Sequence, residues 1–489
     1  MEFKTEPYVH QREEVKSHGL TSARGLFWEM GCGKSKPILD TAAVMEEAGE
    51  IDALVIVAPR GGHRNWLKAE EGQVVTHLPQ ELLDRSRSHI WYSKKANTLQ
   101  HQESAKKTLE HDGFAILGMT YSAGMTLAGA KYLRQFLKKR RALMVLDESP
   151  QIKSPKAKRT KFFVAIGKHA THRRILTGMP AEESPFDVYS QIRFLDPTAW
   201  HPLGIHTAAS FRAFFGVWEQ SYTRAGGGRT FENLVEYKNL PILSDFLKKF
   251  GSRVMKSDVL DLPEKLYARR FFDLTPEQRR VYNDLEQYFE AELDGRLITA
   301  PLTITRMLRA QQVISGYLPT SEGDNTLIPI NPKKNPRIDL LMGTLEECGN
   351  QQVLVWAKYR QDITAILEEM ERRGLTAVRY DGQCSDEELS ENEGRFHRGE
   401  AQYFVSNPEV GGEILTLNEA HTSVYYNNSF RLKHRAQSED RNHRIGQKNQ
   451  VLYVDLVAEN TIDSYIIDRL RDKQEVTAQA MGDQQKTWL

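Results

Sequence analysis

Cysteine is nearly absent from this chain. Three residues, Cys32, Cys348 and Cys384, stand among 489 without the spacing of a disulfide framework or a thiolate metal site, which excludes a cystine-stapled secreted module. No apolar run approaches the ~18 residues of a membrane span, and Met1 to Lys16 are too polar for a signal-peptide core. A large charge excess is missing too, since 66 Lys and Arg against 65 Asp and Glu leave a net charge of +1. Internal repeats and low-complexity tracts are also lacking. The expectation is a cytoplasmic enzyme, in a bacterial or phage-infected cytosol, with no membrane partner.

What is present is an ordinary globular composition, 40% hydrophobic and 27% charged, long enough for two to four domains with their own cores. Short apolar, β-branched runs alternate with longer amphipathic segments. Residues 53–58, 114–117, 143–146 and 174–177 make one set of predicted buried strands; 353–356, 376–380, 403–405, 423–426 and 451–456 make a second. Buried strands interleaved with helices indicate an α/β fold with parallel sheets and crossover helices. Two sets predict two lobes, residues 1–252 and 253–489, with a hinge near Arg253 to Pro263. The region from Pro185 to Leu345 reads as predominantly helical, broken by Gly226-Gly227-Gly228 and by Pro329 to Pro336.

Charge is unevenly spread. From Lys131 to Arg174 there are fourteen Lys and Arg against two acids, Asp147 and Glu148, the pattern of a phosphate-binding stripe.

The chemistry begins at Gly31-Cys32-Gly33-Lys34-Ser35. A Gly turn opening a helix aims backbone N–H groups at an anion, Lys34 adds a point charge for phosphates, and Ser35 a hydroxyl for magnesium. Trp28 stands where the longer form of this loop has Gly. Asp147 and Glu148 follow the apolar run 142–146, at the end of a strand where α/β ligand sites form; the first suits magnesium, the second a proton from the attacking water. Thr177-Gly178-Met179-Pro180 closes another strand with a turn able to couple the nucleotide site to movement elsewhere. Far downstream, Asp440-Arg441-Asn442-His443-Arg444-Ile445-Gly446-Gln447 places two guanidiniums three residues apart, one helical turn, as arginine fingers for a phosphoryl group in transfer. Two distant half-sites imply lobes that close on one nucleotide.

These segments occur in the order of the helicase motifs. With Gln11 and its Pro7-Tyr8 lead-in, Asp147 to Lys153, Leu176 to Pro180, Asn65-Trp66, Met119-Thr120-Tyr121 and Lys256 to Pro263, the chain resembles the Swi/Snf-type branch of helicase superfamily two, the duplex-DNA translocases, from about residue 5 to about residue 475. The resemblance implies two RecA-like lobes with helical insertions, ATP and Mg2+ as cofactors, and DNA, duplex or branched, as partner. It implies a monomer, with replication, recombination or repair proteins as further partners. Gln11 would read the adenine edge; Gly31, Gly33, Lys34 and Ser35 would hold phosphate and, through Ser35 and Asp147, metal. Glu148 would activate water, and Arg441 and Arg444 would reach the γ-phosphate. Gly411-Gly412 and Asp440 would line the second-lobe side of the cleft, while Arg60, Thr120, Lys153, Lys358 and Asp381-Gly382 would meet nucleic acid. The family usually has Asn at the place of Thr416 and Thr at that of Asn418, and a His where Ser149-Pro150-Gln151 now follows the acids. The short insertions resemble a compact phage or annealing-helicase motor. An RNA-dependent helicase of the same superfamily and a non-hydrolysing ATP-sensing scaffold are the alternatives.

Overall fold

Uninterrupted aliphatic runs become strands buried on both faces, because helices cover both sides of a parallel sheet. The computed structural model describes residues 3–60, 62–223, 229–293, 300–319, 327–331, 334–410 and 415–483. In chain order the strands are β1 (Ala23–Trp28), β2 (Ala53–Ala58), β3 (Ser86–Trp91), β4 (Phe114–Thr120), β5 (Ala142–Asp147) and β6 (His172–Leu176). A two-stranded ribbon of β7 (Gly216–Thr223) and β8 (Arg229–Tyr237) precedes β9 (Gly251–Val254). The first sheet runs β3-β4-β2-β5-β6-β1-β9, with every pairing parallel.

Side chains alternate across this sheet. Leu54, Ile56, Leu143 and Val145 pack with Ile38, Leu39 and Ala42 of the helix Ser35–Glu47 on one face. On the other, Val55, Val57, Met144 and Leu146 join Leu133 and Phe136 of the helix Leu127–Lys139 and Phe163 and Ile166 of the helix Lys158–Gly167. Each such side chain, fully buried, contributes about 1.5–3 kcal/mol.

Then follow β10 (Lys265–Phe272), a hairpin of β11 (Tyr317–Pro319) and β12 (Leu327–Pro329), β13 (Val353–Trp356), β14 (Ala377–Tyr380), β15 (Tyr403–Ser406), β16 (Thr422–Tyr425) and β17 (Val451–Ala458). The second sheet, β10-β17-β16-β13-β15-β14, is also parallel throughout. Two parallel-sheet units are therefore present, as the two sets of apolar runs predict. The first holds residues up to Gly216, then Tyr237–Asp261 and the stretch from Val476; the second holds Val217–Glu236 and Leu262–Glu475. A division at residue 253 would cut β9, whose Arg253 is in register with Phe27 of β1.

Among the described residues the region from 185 to 345 is mainly helical, as expected, with Leu240–Phe250, Pro276–Leu293 and Ala300–Ile314 its longest helices, but it also holds strands the sequence reading did not anticipate. Among the described residues six strands, β7 to β12, lie between Gly216 and Pro329, because segments such as 216–223, with Val, Trp, Tyr and Thr, favour extended chain. Gly226-Gly227-Gly228 falls outside the described residues. Among the described residues, no helix is long and apolar enough to cross a membrane.

Candidate functional site

Strand β1 ends in Trp28, buried completely, and the chain turns through Gly31 and Gly33 into the helix Ser35–Glu47. Both glycines have left-handed φ, +82° and +71°, and a Cβ on Gly33 would run into Gln11 Nε2. Only glycine serves there. Lys34 caps the helix and donates from Nζ to the carbonyls of Trp28 (3.0 Å) and Glu29 (3.2 Å). Burial lowers its pKa, and the charges of Glu148 and Asp147 oppose that shift, so the three groups lie within electrostatic reach of one another in the first unit.

The loop is gripped from two sides. Gln11, only 3% exposed, donates from Nε2 to Gly33 O (3.0 Å) and accepts from Tyr8 N (2.9 Å). His10, beside it, hydrogen-bonds Cys32 O through Nε2 (3.0 Å), stacks on Tyr8 and meets the Trp28 ring edge-on. On the β9 side, Trp28 Nε1 donates to Ser252 Oγ (2.8 Å), Lys256 N to Glu29 Oε2 (2.6 Å), and Arg253 Nη1 to Phe27 O (2.6 Å) and Gly178 O (3.0 Å). Arg253 also forks onto Asp483 (2.7 Å). It thus ties the phosphate loop to the turn at 177–180, where Thr177 Oγ1 accepts from Met179 N (3.0 Å).

Asp147 ends β5, and Glu148 follows in left-handed backbone, φ 51° and ψ 57°, a conformation costly for a residue with a Cβ. Asp147 Oδ2 accepts from Trp66 Nε1 (2.9 Å) and Oδ1 from Glu148 N (3.0 Å), while its carbonyl accepts from Tyr121 OH (2.8 Å). Burial, and then the neighbouring Glu148 charge, raise the Asp147 pKa to about 6. Two adjoining carboxylates repel, and a hard cation relieves that repulsion through oxygen ligands. Asp147 and the Ser35 hydroxyl at the helix start fit a magnesium ion in this respect.

In the second unit the arginine pair does not sit on a helix. The helix Leu432–Glu439 stops before Asp440, and Asn442, His443 and Gly446 (φ +97°) continue as turns, so the one-turn helical spacing expected of Arg441 and Arg444 is corrected. The physical reason is local bonding: Gln447 Nε2 holds Asn442 O (2.9 Å) and Asn418 O (3.1 Å), and His443 Nε2 reaches Pro263 O (2.8 Å). Both arginines still converge on one atom. Arg441 donates to Leu415 O (2.9 Å) and Gln437 O, and Arg444 donates to Leu415 O (3.1 Å) and Thr416 Oγ1 (2.9 Å). Thr416, the departure from the family pattern, here holds a finger candidate by its hydroxyl. Behind them Arg435 lies buried on the Tyr425 ring, paired with Glu439 (2.7 Å) and Asp455 (2.5 Å). Gly411-Gly412 lies outside the described residues.

The candidate nucleic-acid residues differ in availability. Arg60 is exposed beyond β2, and Thr120 closes β4, its Oγ1 accepting from Ala123 N (3.0 Å). Lys153 is paired with Glu182 (2.8 Å), near Asp187. Lys358 donates to Gln311 Oε1 (2.6 Å) over the Tyr359 ring, and burial lowers its pKa to about 8 against the pull of Asp362. Trp66, Tyr121, His10 and Arg253 were not singled out by sequence reasoning as site residues. The bond from Trp66 spans 81 residues, and no local spacing reports it.

Comparison with known proteins adds to this geometry. The model of the SNF2-related domain matches residues 12–314, and that of the helicase conserved C-terminal domain matches residues 336–446. Chromodomain-helicase-DNA-binding protein 1-like of Danio rerio is 24% identical over 464 residues, covering 92% of this chain and 41% of that protein. Human DNA annealing helicase and endonuclease ZRANB3 is 24% identical over 464 residues, covering 93% and 38%. The chain thus spans less than half the length of either relative. The solved SWI2/SNF2 ATPase core of Sulfolobus solfataricus, in complex with dsDNA, is 18% identical with a TM-score of 0.41, covering 98% of this chain and 94% of that one.

Proposed function

The chain belongs to the SNF2-related family, and from that premise we propose that it is a magnesium-dependent ATPase that couples hydrolysis to movement along duplex or branched DNA. The observation that carries this reading is the glycine turn that sets Lys34 and Ser35 at a helix start in the first unit, within electrostatic reach of Asp147 and Glu148 at the end of β5. Lys34, held now by two carbonyls, turns to the β- and γ-phosphates of ATP, which accept its protons more strongly as anions. Ser35 and Asp147 would hold Mg2+, which neutralises phosphate charge when bound. Glu148 orients the attacking water and takes its proton. Gln11 reads the adenine edge, and Arg441 and Arg444 supply the cations that stabilise the transferring phosphoryl group. Arg60 and Thr120 contact the DNA backbone; Lys153 and Lys358, each bonded within its own unit, act there by exchanging partners.

The test compares ATP turnover with single-stranded, duplex and forked DNA, and with duplex RNA. Turnover raised by duplex or forked DNA, and removed by Lys34→Ala with unchanged unfolding, is the expected result. Stimulation by RNA alone, or full turnover in Lys34→Ala, overturns the assignment.

A further inference from the structure

The basic stretch from Lys131 to Arg174 divides in two. Six of its fourteen cations are bonded within the first unit: Arg140 to the carbonyls of Leu109 and His111, Arg141 to Gly49 O, Lys153 to Glu182, Arg159 to Gln151, Arg173 to Phe194 O, and Arg174 to His18 O and Gly19 O. Fourteen less six leaves eight, and all eight are exposed, with no carboxylate in ion-pair reach among the described residues.

Most of these eight share one side of the fold. Lys131, Arg134 and Lys138 follow a 3–4 spacing along the helix Leu127–Lys139, opposite its buried Leu133 and Phe136. Lys158 and Lys161 lie on the helix Lys158–Gly167 and Lys168 just beyond it, opposite Phe163 and Ile166. Those four apolar residues belong to the same core, so the two helices, the crossovers into and out of β5, cover the same face of the first sheet. The only acids in the stretch, Asp147 and Glu148, are at the nucleotide pocket.

The geometry points to a second DNA-binding surface, on which these two helices hold the sugar-phosphate backbone of a duplex segment distinct from the one translocated. This inference rests on the proposed function. Charge complementarity selects the occupant: two rows of unpaired cations at helical repeats match the regular charge of a duplex, which carries about one phosphate per 1.7 Å. A protein interface would instead show aromatic and aliphatic anchors, and the exposed large apolar residue here is Leu127, at the helix start. A second arm held on this face would give a branched substrate two points of attachment.

The experiment measures affinity across salt for a short duplex and for a four-way junction. The proteins are the wild type and Lys131→Gln/Arg134→Gln/Lys138→Gln, with Lys158→Gln/Lys161→Gln/Lys168→Gln as a second variant should the first fail to fold. Removing Arg372, Arg373 and Arg398, ion-paired cations of the second unit, controls for net charge. The expected result is a wild-type salt slope steeper for the junction than for the short duplex. The variant should lose about 0.9 of junction slope per contact removed, up to about 3 in all, keep its short-duplex slope, and differ from the control. An unchanged junction slope overturns the inference, as does a variant whose only defect is in binding polyglutamate, which would make the face a site for acidic protein. Absence of any DNA-stimulated turnover in the wild type would instead sink the translocase reading itself.

Discussion

Trp66 shows how one side chain conditions a candidate site carboxylate, Asp147. Its indole N–H fixes Asp147 Oδ2 and leaves less freedom in where that carboxylate points. Trp66→Phe keeps an aromatic side chain and removes the donor, so if Asp147 holds the metal as proposed kcat should fall about tenfold, the lower range for partners of a metal ligand, with the KM for ATP little changed. Steady-state kinetics at saturating DNA decides it; an unaltered kcat makes the bond incidental. His89 offers a test of pH. It is 5% exposed, its ring 4.6 Å from that of His101, and burial followed by the charge of His101 lowers its pKa to about 4. The folded chain therefore binds fewer protons than the unfolded chain, where the imidazole titrates near 6.5. Stability from this group is intact above about pH 6.5 and is lost as pH falls toward 4, on the order of 2 kcal/mol after allowing for partial hydration. Urea unfolding of wild type against His89→Phe should show that loss in the wild type alone, and a flat difference would refute it. At this scale the glycine turn and the Lys34-Ser35 helix start proposed for phosphate were legible, because Gly, Lys and Ser follow one another in the chain. Trp66 and Arg253 were not, since their partners are supplied by tertiary folding.

Among elements, β9 depends on Arg253. Its guanidinium bonds to two carbonyls and one carboxylate, joining β1, the 177–180 turn and Asp483. Arg253→Ala should destabilise the first unit by about 3 kcal/mol through groups left unpaired, and Arg253→Lys should recover little, lacking the planar fork. Thermal unfolding tests both, and an unchanged midpoint refutes the role. The central strands were legible: β2, β5, β13 and β15 lie under helices on both faces, so their sequences are continuous apolar runs. The edge strand β14 was legible as well, but two other edge strands were not. β3 carries Arg87 and His89, and β10 carries Arg269 and Arg270; a strand with one free edge tolerates charge, which erases the run that marks a strand.

For the whole molecule, the arginine pair carries the strongest prediction. Arg444→Ala should lower DNA-stimulated turnover on the order of 10³-fold while ATP still binds the first unit, with third-strand displacement lost in parallel. Full turnover would remove Arg444 from the chemistry. The same experiment on Arg441 separates its two capacities, because its bonds to Leu415 O and Gln437 O also brace the turn.

The first unit draws on residues from Val476 onward, and this sets an order of events during synthesis. Arg253 and Asp483 are 230 residues apart, so at roughly 5–20 residues per second the ribosome needs about ten to fifty seconds to deliver the carboxylate after the guanidinium. Throughout that interval the nascent first unit waits for its last partner, and a translational pause between the two residues prolongs its exposure to chaperones and proteases.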